Sequence, residues 1–398
     1  MYRLHPAIQH FDWGSTTALH DALGVVPDGR PAAEAWFGAH PASPATIDAP
    51  EGAVGLDAFV AAQPTAVLGD DVATRFGGQL PYLLKLIAAA KPLSLQVHPS
   101  LARAREGYAA EDAAGVPVDA PHRSYKDRNH KPELVYALTR LDAMIGFRAP
   151  RRAAELLAGL EAPLAADLRA ILVTDPSPTG VRAAFAWLLA ADTRPSPADV
   201  EKFADACEAR LEQGSPSPRT DRTVIRLAGE FPGDAGAVTS VLLNPVTLRP
   251  GEAVFVPAGC VHAYLSGFGV EIMANSDNVL RAGLTSKHVD VQGLLAILDT
   301  VAAPPIRIAP ERGFSVTETY YAPVEDFELS VTRLSDEGAT RIPGRGPRIV
   351  LCVEGEVTVA TENDGDLLLR RGQSAFIPAY DGHITGRGDG VLVQADVP

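Results

Sequence analysis

Four residues carry side chains of the kinds that bind divalent metal ions: Gln96, His98, Glu133 and His262. Gln96 and His98 are two positions apart in an apolar stretch, so they share one face of a predicted strand. Glu133 follows Pro132 at the start of an apolar run, where its carboxylate can point inward. Two imidazoles, a carboxylate and an amide oxygen suit Zn²⁺, Fe²⁺, Mn²⁺ or Co²⁺. These residue types predict a metal site and leave the metal open.

A strand-turn-strand pattern places the last of these histidines. Gly251, Pro257, Gly259 and His262 follow the spacing Gly-x5-Pro-x-Gly-x2-His, in which the proline and glycines favour a turn between two strands. In an alternating strand, His262 shares a face with Tyr264. One histidine on a strand face does not distinguish a ligand from a buried structural residue, so the prediction depends on the upstream residues.

Basic side chains close to these motifs favour an anionic substrate. A guanidinium with several ammonium groups near a metal matches a phosphate group. Isolated surface charges explain each cation equally well, and this alternative stays open. The residues concerned are Lys85, Lys131, Arg281 and Lys287, with Ser94 on the ligand face of its strand.

Acidic and basic groups near Arg281 also make proton transfer available. Glu271 and Asp277 precede this arginine by a few residues, and His130 and Lys131 lie in the polar segment YKDRNHKPEL. Charged groups this close in sequence can shift one another's pKa values.

The elements that must position these residues are predominantly strands. Short apolar runs separated by turn residues predict a β domain from residues 1–150 and 233–300 and a second β domain over 301–398. Ala- and Leu-rich segments with helical periodicity predict a helical insertion over 151–232. The insertion contains no cluster of catalytic residue types, so we expect a structural or lid role. Trp13, beside a turn, either stacks on a ligand or fills the core.

Composition restricts the classes of partner. The formal net charge of −14 disfavours nucleic acids and anionic membranes, because both need a basic surface. The 3 cysteines form no CxxC pair, which argues against disulfides and a thiolate zinc site. No apolar run is long enough for a membrane span, and the N-terminal residues lack signal-peptide features. We expect a cytoplasmic monomer that acts on a small molecule.

Four motifs in sequence order resemble those of the type I mannose-6-phosphate isomerase family, which belongs to the cupin superfamily. They are LPYLLKLIAAAKPLSLQVHP, YKDRNHKPEL, PAGCVHAYLSG and VEIMANSDNVLRAGLTSKHVD. The resemblance covers the chain from Trp13 to the C-terminal β domain. It implies two cupin-like jelly-roll barrels with a helical domain, one Zn²⁺ per chain, and interconversion of mannose 6-phosphate and fructose 6-phosphate.

The resemblance also implies roles for individual residues. Arg281 is the catalytic arginine, and the catalytic base is not identified. Cys260, in the turn before His262, departs from the family pattern, and its spacing of two residues from His262 puts its thiol on the same strand face as that ligand. The implied zinc ligands are Gln96, His98, Glu133 and His262; Lys131, His130, Glu271 and Asp277 lie in or near proton transfer, and Ser94, Lys85 and Lys287 lie near the phosphate, with Trp13 as a further candidate for substrate binding.

The turn motif recurs in the C-terminal domain. Gly372, Pro378 and His383 repeat the earlier spacing, but Tyr380 replaces the turn glycine and no Gln-x-His strand precedes them. We therefore expect a second barrel without a metal, in which His383 is structural.

Two alternative functions follow from the same residues. Two histidines and a carboxylate also describe a non-haem Fe²⁺ site, which would make the protein a cupin oxygenase. A non-enzymatic bicupin would bind a sugar phosphate without converting it. Metal content and an anaerobic isomerase assay distinguish the three functions.

Overall fold

The computed structural model describes residues 1–50, 52–312, 316–335 and 338–398. Its strands are β1 (Tyr2–His5), β2 (Ala7–Gln9), β3 (Glu34–Gly38), β4 (Thr46–Ala49), β5 (Gly52–Gly55), β6 (Tyr82–Ala89), β7 (Leu95–Val97), β8 (Glu133–Ala137), β9 (Leu141–Phe147), β10 (Leu243–Leu248), β11 (Ala253–Val256), β12 (His262–Ala274), β13 (Leu280–Gly283), β14 (Ile306–Ile308), β15 (Glu311–Arg312), β16 (Thr317–Tyr320), β17 (Glu328–Leu334), β18 (Thr340–Ile342), β19 (Arg348–Thr361), β20 (Asp366–Arg370), β21 (Ser374–Ile377) and β22 (Ile384–Asp396). Its helices are α1 (Ala18–Leu23), α2 (Leu56–Ala62), α3 (Pro64–Leu68), α4 (Asp70–Arg75), α5 (Leu101–Ala113), α6 (Pro150–Leu157), α7 (Pro163–Thr174), α8 (Pro178–Leu189), α9 (Pro197–Glu212), α10 (Pro218–Glu230), α11 (Gly236–Thr239) and α12 (Val291–Ile297), with short 3-10 turns at Ser240–Leu242 and Ala379–Asp381.

The strands form two antiparallel sheets of 11 strands each. The catalytic-motif sheet contains β2, β3, β6 to β14, and the C-terminal sheet contains β15 to β22 together with β1, β4 and β5. The N-terminal strand β1 therefore joins the C-terminal sheet, where it pairs with β21. The prediction of a mainly β fold with a helical insertion is confirmed.

The inserted helices α6 to α10 each begin with a proline, whose fixed φ angle and missing N–H suit the first helical position. At the start of α9, Ser196 and Asp199 form a capping box. The apolar faces of these helices share one core cluster with Val97 and Ala263, and the rings of Phe147 and Phe185 are 5.4 Å apart. The helices thus support the back of the strands that carry Gln96 and His262.

Strand β12 organises the catalytic-motif sheet because it pairs with different neighbours along its length. Its first residues pair with β7 and β9, and from Gly267 onward it pairs with β6 and β8. Gly267 has φ 127°, and a Cβ atom there would lie 2.6 Å from the carbonyl oxygen of Arg140. Only glycine fits this bend without strain. The bend lets one strand present His262 and Glu271 to the same interior.

Several details differ from the sequence-based expectations. The first hundred residues contain helices α1 to α4 as well as strands. Strand β14 lies in the range expected to form the second β domain, but residues Ile306 to Ile308 pair with β11 of the catalytic-motif sheet. Strand β7 ends at Val97, so His98 follows the strand. The division into three domains with the stated boundaries stays a prediction. Within the described ranges, no helix has both the length and the apolar character needed to cross a bilayer.

Candidate active site

Two histidines and a glutamate from three separate segments converge inside the catalytic-motif sheet. Nε2 of His98 lies 3.1 Å from Oε1 of Glu133, and Nε2 of His262 lies 3.2 Å from Oε2 of the same carboxylate. The two imidazole centroids are 5.0 Å apart, and all three side chains are buried. Their ligand atoms lie within 4.8 Å of one another, so one cation between them could be bound by all three.

Backbone carbonyls fix the orientation of both imidazoles. Nδ1 of His98 donates to the carbonyl oxygen of Asn278 at 2.8 Å, and Nδ1 of His262 donates to that of Cys260 at 3.1 Å. A proton on Nδ1 leaves the Nε2 lone pair free as a ligand. Burial lowers the pKa of His98 to about 4, against the opposing effect of Glu133, so its imidazole is neutral at neutral pH.

The donor set fits a bound metal ion. Nε2 of His98 is buried, lies 3.1 Å from Oε1 of Glu133 and, among the residues that the structure describes, has no hydrogen-bond partner. A buried polar atom without a partner is costly, and a cation would complete its coordination. Burial raises the pKa of Glu133, but the opposing effects of His98 and Lys131 are larger. The net pKa is well below its usual value, so the carboxylate stays ionised. Neutral imidazoles with an ionised carboxylate are the ligand state that Zn²⁺ requires.

Gln96 lies beside this group in the sheet. It is the cross-strand partner of His262 on one side and of Arg281 on the other. Cross-strand partners project to the same face of a sheet, so the three side chains form one row. The Gln96 amide nitrogen donates to the Ser94 hydroxyl at 3.3 Å, which leaves the amide oxygen available as a ligand.

A buried ammonium and two carboxylates form the neighbouring row. Nζ of Lys85 lies 3.2 Å from Glu271 and 3.6 Å from Glu34, and it stands 5.2 Å from the ring centroid of Trp36. The indole nitrogen of Trp36 donates to Glu34 at 2.6 Å. Burial lowers the pKa of Lys85, but Glu34 and Glu271 more than offset it and the net shift is upward. The Lys85 charge is therefore already compensated within the protein.

One small cavity connects the two rows. Nζ of Lys131 lies 3.5 Å from Oε1 of Glu133, and burial together with the Glu133 charge raises the pKa of Glu271. The cavity thus brings four of the sequence-predicted residues next to the carboxylate of Glu133 and the imidazole of His262. Its lining is Glu34, Lys85, Ile87, Leu93, Gln96, Lys131, Glu133, His262, Ala263, Tyr264 and Glu271.

Three cations, Arg281, Lys287 and Lys126, lie near one another at the Arg281 end of the row that contains Gln96. Burial lowers the pKa of Arg281, and burial with the charges of Arg281 and Lys126 lowers the pKa of Lys287. Within the described part of the chain, the side chain of Arg281 has no acidic partner. A group of cations without a compensating carboxylate favours an anionic ligand.

Three predicted residues lie outside the metal group. Asp277 is 3.5 Å from Nε2 of His40, and its carboxyl group is partly exposed. His130 is paired with Asp326, with 2.9 Å between Nε2 and the carboxylate. Trp13 packs on the core cluster that contains Tyr264 and stacks on the exposed Phe11, with ring centroids 5.7 Å apart.

Two other predicted residues concern alternative ligands. Cys260 is not among the residues that converge on the metal position; its thiol contacts the carbonyl oxygen of Val261 at 3.7 Å, and burial raises its pKa to about 12. His383, in the C-terminal sheet, is exposed and lies 3.0 Å from the guanidinium of Arg341. Its structural role stays a prediction.

Sequence reasoning missed three residues that shape this interior. His40 is buried against Trp36, with ring centroids 4.9 Å apart, and burial lowers its pKa while Asp277 opposes that shift. Glu34 compensates Lys85, and Asn278 orients His98. The motif AEAWFGAHP contains two of the three, and its acid, indole and imidazole within seven positions were the available signal.

Comparisons with known proteins agree with this arrangement. The model of the type I phosphomannose isomerase catalytic domain matches residues 1–150, and that of the mannose-6-phosphate isomerase cupin domain matches residues 317–396. The chain is 39% identical over 406 residues to mannose-6-phosphate isomerase of Escherichia coli (strain K12), with 99% of both chains covered. It is 30% identical over 421 residues to mannose-6-phosphate isomerase 1 of Arabidopsis thaliana, with 99% of this chain and 93% of that one covered.

Solved structures agree over the whole chain. A crystal structure of zinc-bound mannose 6-phosphate isomerase matches with a TM-score of 0.90 and 37% identity, covering 100% of this chain and 99% of that one. A histidine variant of phosphomannose isomerase from Salmonella typhimurium matches equally well. The cupin class is confirmed by these matches and by the cupin-domain model. With relatives this similar along almost its full length, the chain belongs to the type I mannose-6-phosphate isomerase family.

Proposed function

We propose that this protein is a zinc-dependent isomerase that interconverts D-mannose 6-phosphate and D-fructose 6-phosphate. The observation that carries the proposal is the convergence of His98, Glu133 and His262 on one position that a metal ion could fill. Relatives named mannose-6-phosphate isomerase and the zinc-bound crystal structure support the choice of reaction and metal.

The metal would be held by Gln96, His98, Glu133 and His262. Two imidazoles, one carboxylate and one amide oxygen leave room for water or for the sugar oxygens. Zinc bound there would supply Lewis-acid stabilisation of negative charge on those oxygens. The hydrogen bonds from Nδ1 of His98 to the Asn278 carbonyl and from Nδ1 of His262 to the Cys260 carbonyl fix both rings. Both Nε2 atoms would therefore be free to bind the metal.

The cations beyond the ligand row would bind the substrate phosphate. Arg281 lacks an acidic partner among the described residues, and the charges of Arg281 and Lys126 contribute to lowering the pKa of Lys287, after burial. A guanidinium binds phosphate oxygens in pairs, which fixes the position of the sugar as well as its charge. Ser94, whose hydroxyl accepts a hydrogen bond from the Gln96 amide, would be a further substrate contact. Lys85 is compensated by two carboxylates, so we assign it to holding Glu271 and not to the phosphate.

Aldose-ketose exchange removes a proton from C2 of mannose 6-phosphate and delivers one to C1, with matching proton transfers between the O1 and O2 oxygens. Glu271 is the best candidate for the carbon acid step, because burial and Glu133 raise its pKa toward the range that suits a base at neutral pH. Lys131, whose Nζ lies 3.5 Å from Oε1 of Glu133, would stabilise negative charge on O1 and O2, and Arg281 would support turnover by holding the phosphate so that C2 and C1 lie beside Glu271. The buried His40, paired with Asp277, would transfer the proton of sugar ring opening. His130, paired with Asp326, would help to position the segment that carries Lys131.

A coupled assay with mannose 6-phosphate, run aerobically and anaerobically on protein of measured metal content, tests the proposal. We expect about one zinc per chain and equal rates with and without oxygen. An oxygen-dependent product with bound iron would favour the cupin oxygenase. Binding of sugar phosphate without turnover, at full zinc loading, would favour the non-enzymatic bicupin. The proposal includes a cytoplasmic monomer, which size-exclusion chromatography with light scattering and cell fractionation would test.

A further inference from the structure

A second cavity, of about 480 Å³, lies between the catalytic-motif sheet and the C-terminal sheet. Tyr136 and Phe268 line it from the first sheet, and Arg333 and Val391 line it from the second. Its volume is in the range of small-molecule binding sites, about 300–1,000 Å³. We call it the inter-sheet cavity.

The inter-sheet cavity is separated from the candidate active site by one layer of sheet. In strand β8, Glu133 projects to the metal group and Tyr136, three positions later, projects to the opposite face. In strand β6, Lys85 faces the buried carboxylates and Leu86 faces the inter-sheet cavity. Because these wall residues belong to a buried, fully paired sheet, the wall is already formed before any ligand binds, which limits the ordering that binding requires.

Two arginines face this space without an acidic partner. Nη2 of Arg333 donates to the Tyr136 hydroxyl at 3.3 Å, and the Arg371 side chain has no hydrogen bond or ion pair within the ranges that the structure describes. Glu354 is the one carboxylate in the lining, and it forms an ion pair with neither arginine. Arg333, Arg371 and Glu354 are exposed at the mouth of the cavity. In a chain with 49 acidic and 35 basic residues, two guanidinium groups at one cavity that are paired with no carboxylate among the described residues are available to bind an anion.

We propose that the inter-sheet cavity binds a small phosphate monoester that carries hydroxyl groups. The guanidinium groups of Arg333 and Arg371 match the paired oxygens of a phosphate. Glu354 provides an acceptor for a ligand hydroxyl, and the apolar remainder of the lining favours the carbon skeleton over free water. The proposal goes beyond the proposed isomerase function and does not depend on it.

Calorimetric titration of the full-length Arg281→Ala chain with glycerol 3-phosphate tests the proposal, because the substitution weakens anion binding at the candidate active site. We expect saturable binding that weakens at least about tenfold when Arg333→Ala and Arg371→Ala are added, since each substitution removes charge-assisted hydrogen bonds. Glycerol, which lacks the phosphate, should not bind. The matched control is Arg169→Ala in the same background, which removes one exposed arginine of α7 and should leave the affinity unchanged.

Near-ultraviolet circular dichroism and isomerase turnover, measured with the two cavity substitutions in the otherwise unchanged chain, verify that folding is intact. Loss of glycerol 3-phosphate binding only in the variant that carries Arg333→Ala and Arg371→Ala, here called the cavity variant, supports the inter-sheet site. Equal binding by the cavity variant and the Arg169→Ala control, or no binding by any of these chains, would overturn it. An absence of isomerase activity in the unchanged protein would affect only the proposed function.

Discussion

Replacing Lys85 with methionine removes the charge that compensates two buried carboxylates. The lysine is 4% exposed, Glu271 is 3% exposed and Glu34 is 7% exposed, so solvent screens none of the three effectively. Removal of one partner from a buried ion pair costs about 3–5 kcal/mol, because the remaining charge stays buried without compensation. We expect the free energy of unfolding to fall by this amount at pH 8.

The loss should depend on pH in a defined direction. Burial and Glu133 already raise the pKa of Glu271 in the folded protein, and loss of Lys85 raises it further. A carboxyl group with a raised folded-state pKa favours folding when protonated, and this contribution is lost as pH rises through that pKa. The Lys85→Met variant should therefore be closest to the unchanged protein at about pH 5 and furthest from it at about pH 8.

Urea unfolding followed by tryptophan fluorescence at both pH values measures the effect, because Trp36 stands directly against Lys85. Lys91→Met is the matched control: it makes the same change at an exposed lysine, and we expect a change within about 0.5 kcal/mol. Adding Glu271→Gln to Lys85→Met should recover part of the loss at pH 8. If Lys85→Met proved as stable as Lys91→Met at pH 8, or lost the same free energy of unfolding at both pH values, Lys85 would not be the charge that compensates Glu34 and Glu271.

Three further predictions concern the metal, the substrate and the thiols. His98→Ala and His262→Ala should each retain less than about one tenth of the bound zinc after dialysis, measured by atomic emission. Loss of a residue that only orients a metal ligand already lowers metal affinity by at least about tenfold, so loss of a ligand should lower it at least as much. Arg281→Ala should keep its zinc and lose at least about a hundredfold in turnover in the coupled assay, a loss of about 2.7 kcal/mol; near-normal rates would remove its catalytic assignment. Iodoacetamide should modify Cys260 slowly at pH 8, because burial raises its pKa to about 12; mass spectrometry showing rapid modification of the folded protein would contradict that burial.

Sequence patterns that extend over a few residues were sufficient to predict strand faces, helix starts and tight turns. Alternation predicted that His262 shares a strand face with Tyr264, and both side chains contact the carboxylate of Glu133. The prolines that open α6 to α10 and the Pro-x-Gly turn act over a few residues, so a single sequence displays them. Four motifs in order identified the family before any distance was known.

Contacts between distant segments were not predictable in the same way. Glu34 belongs to β3, whose apolar residues gave no sign of an acid facing Lys85, and only the pairing of β3 with β6 brings the two side chains together. Lys85 was expected near a phosphate because a lysine in sequence shows its charge but not its partners. The pairing of β14 with β11 was missed because its short proline-flanked segment reads as a linker.

The most direct test of the central claim is zinc titration of metal-free protein, with isomerase turnover and bound zinc measured on the same samples. We expect turnover of mannose 6-phosphate to rise in proportion to bound zinc and to reach its maximum at about one ion per chain, and His98→Ala to abolish both together. Full turnover without zinc, or tight zinc binding that survives the loss of His98, would contradict it.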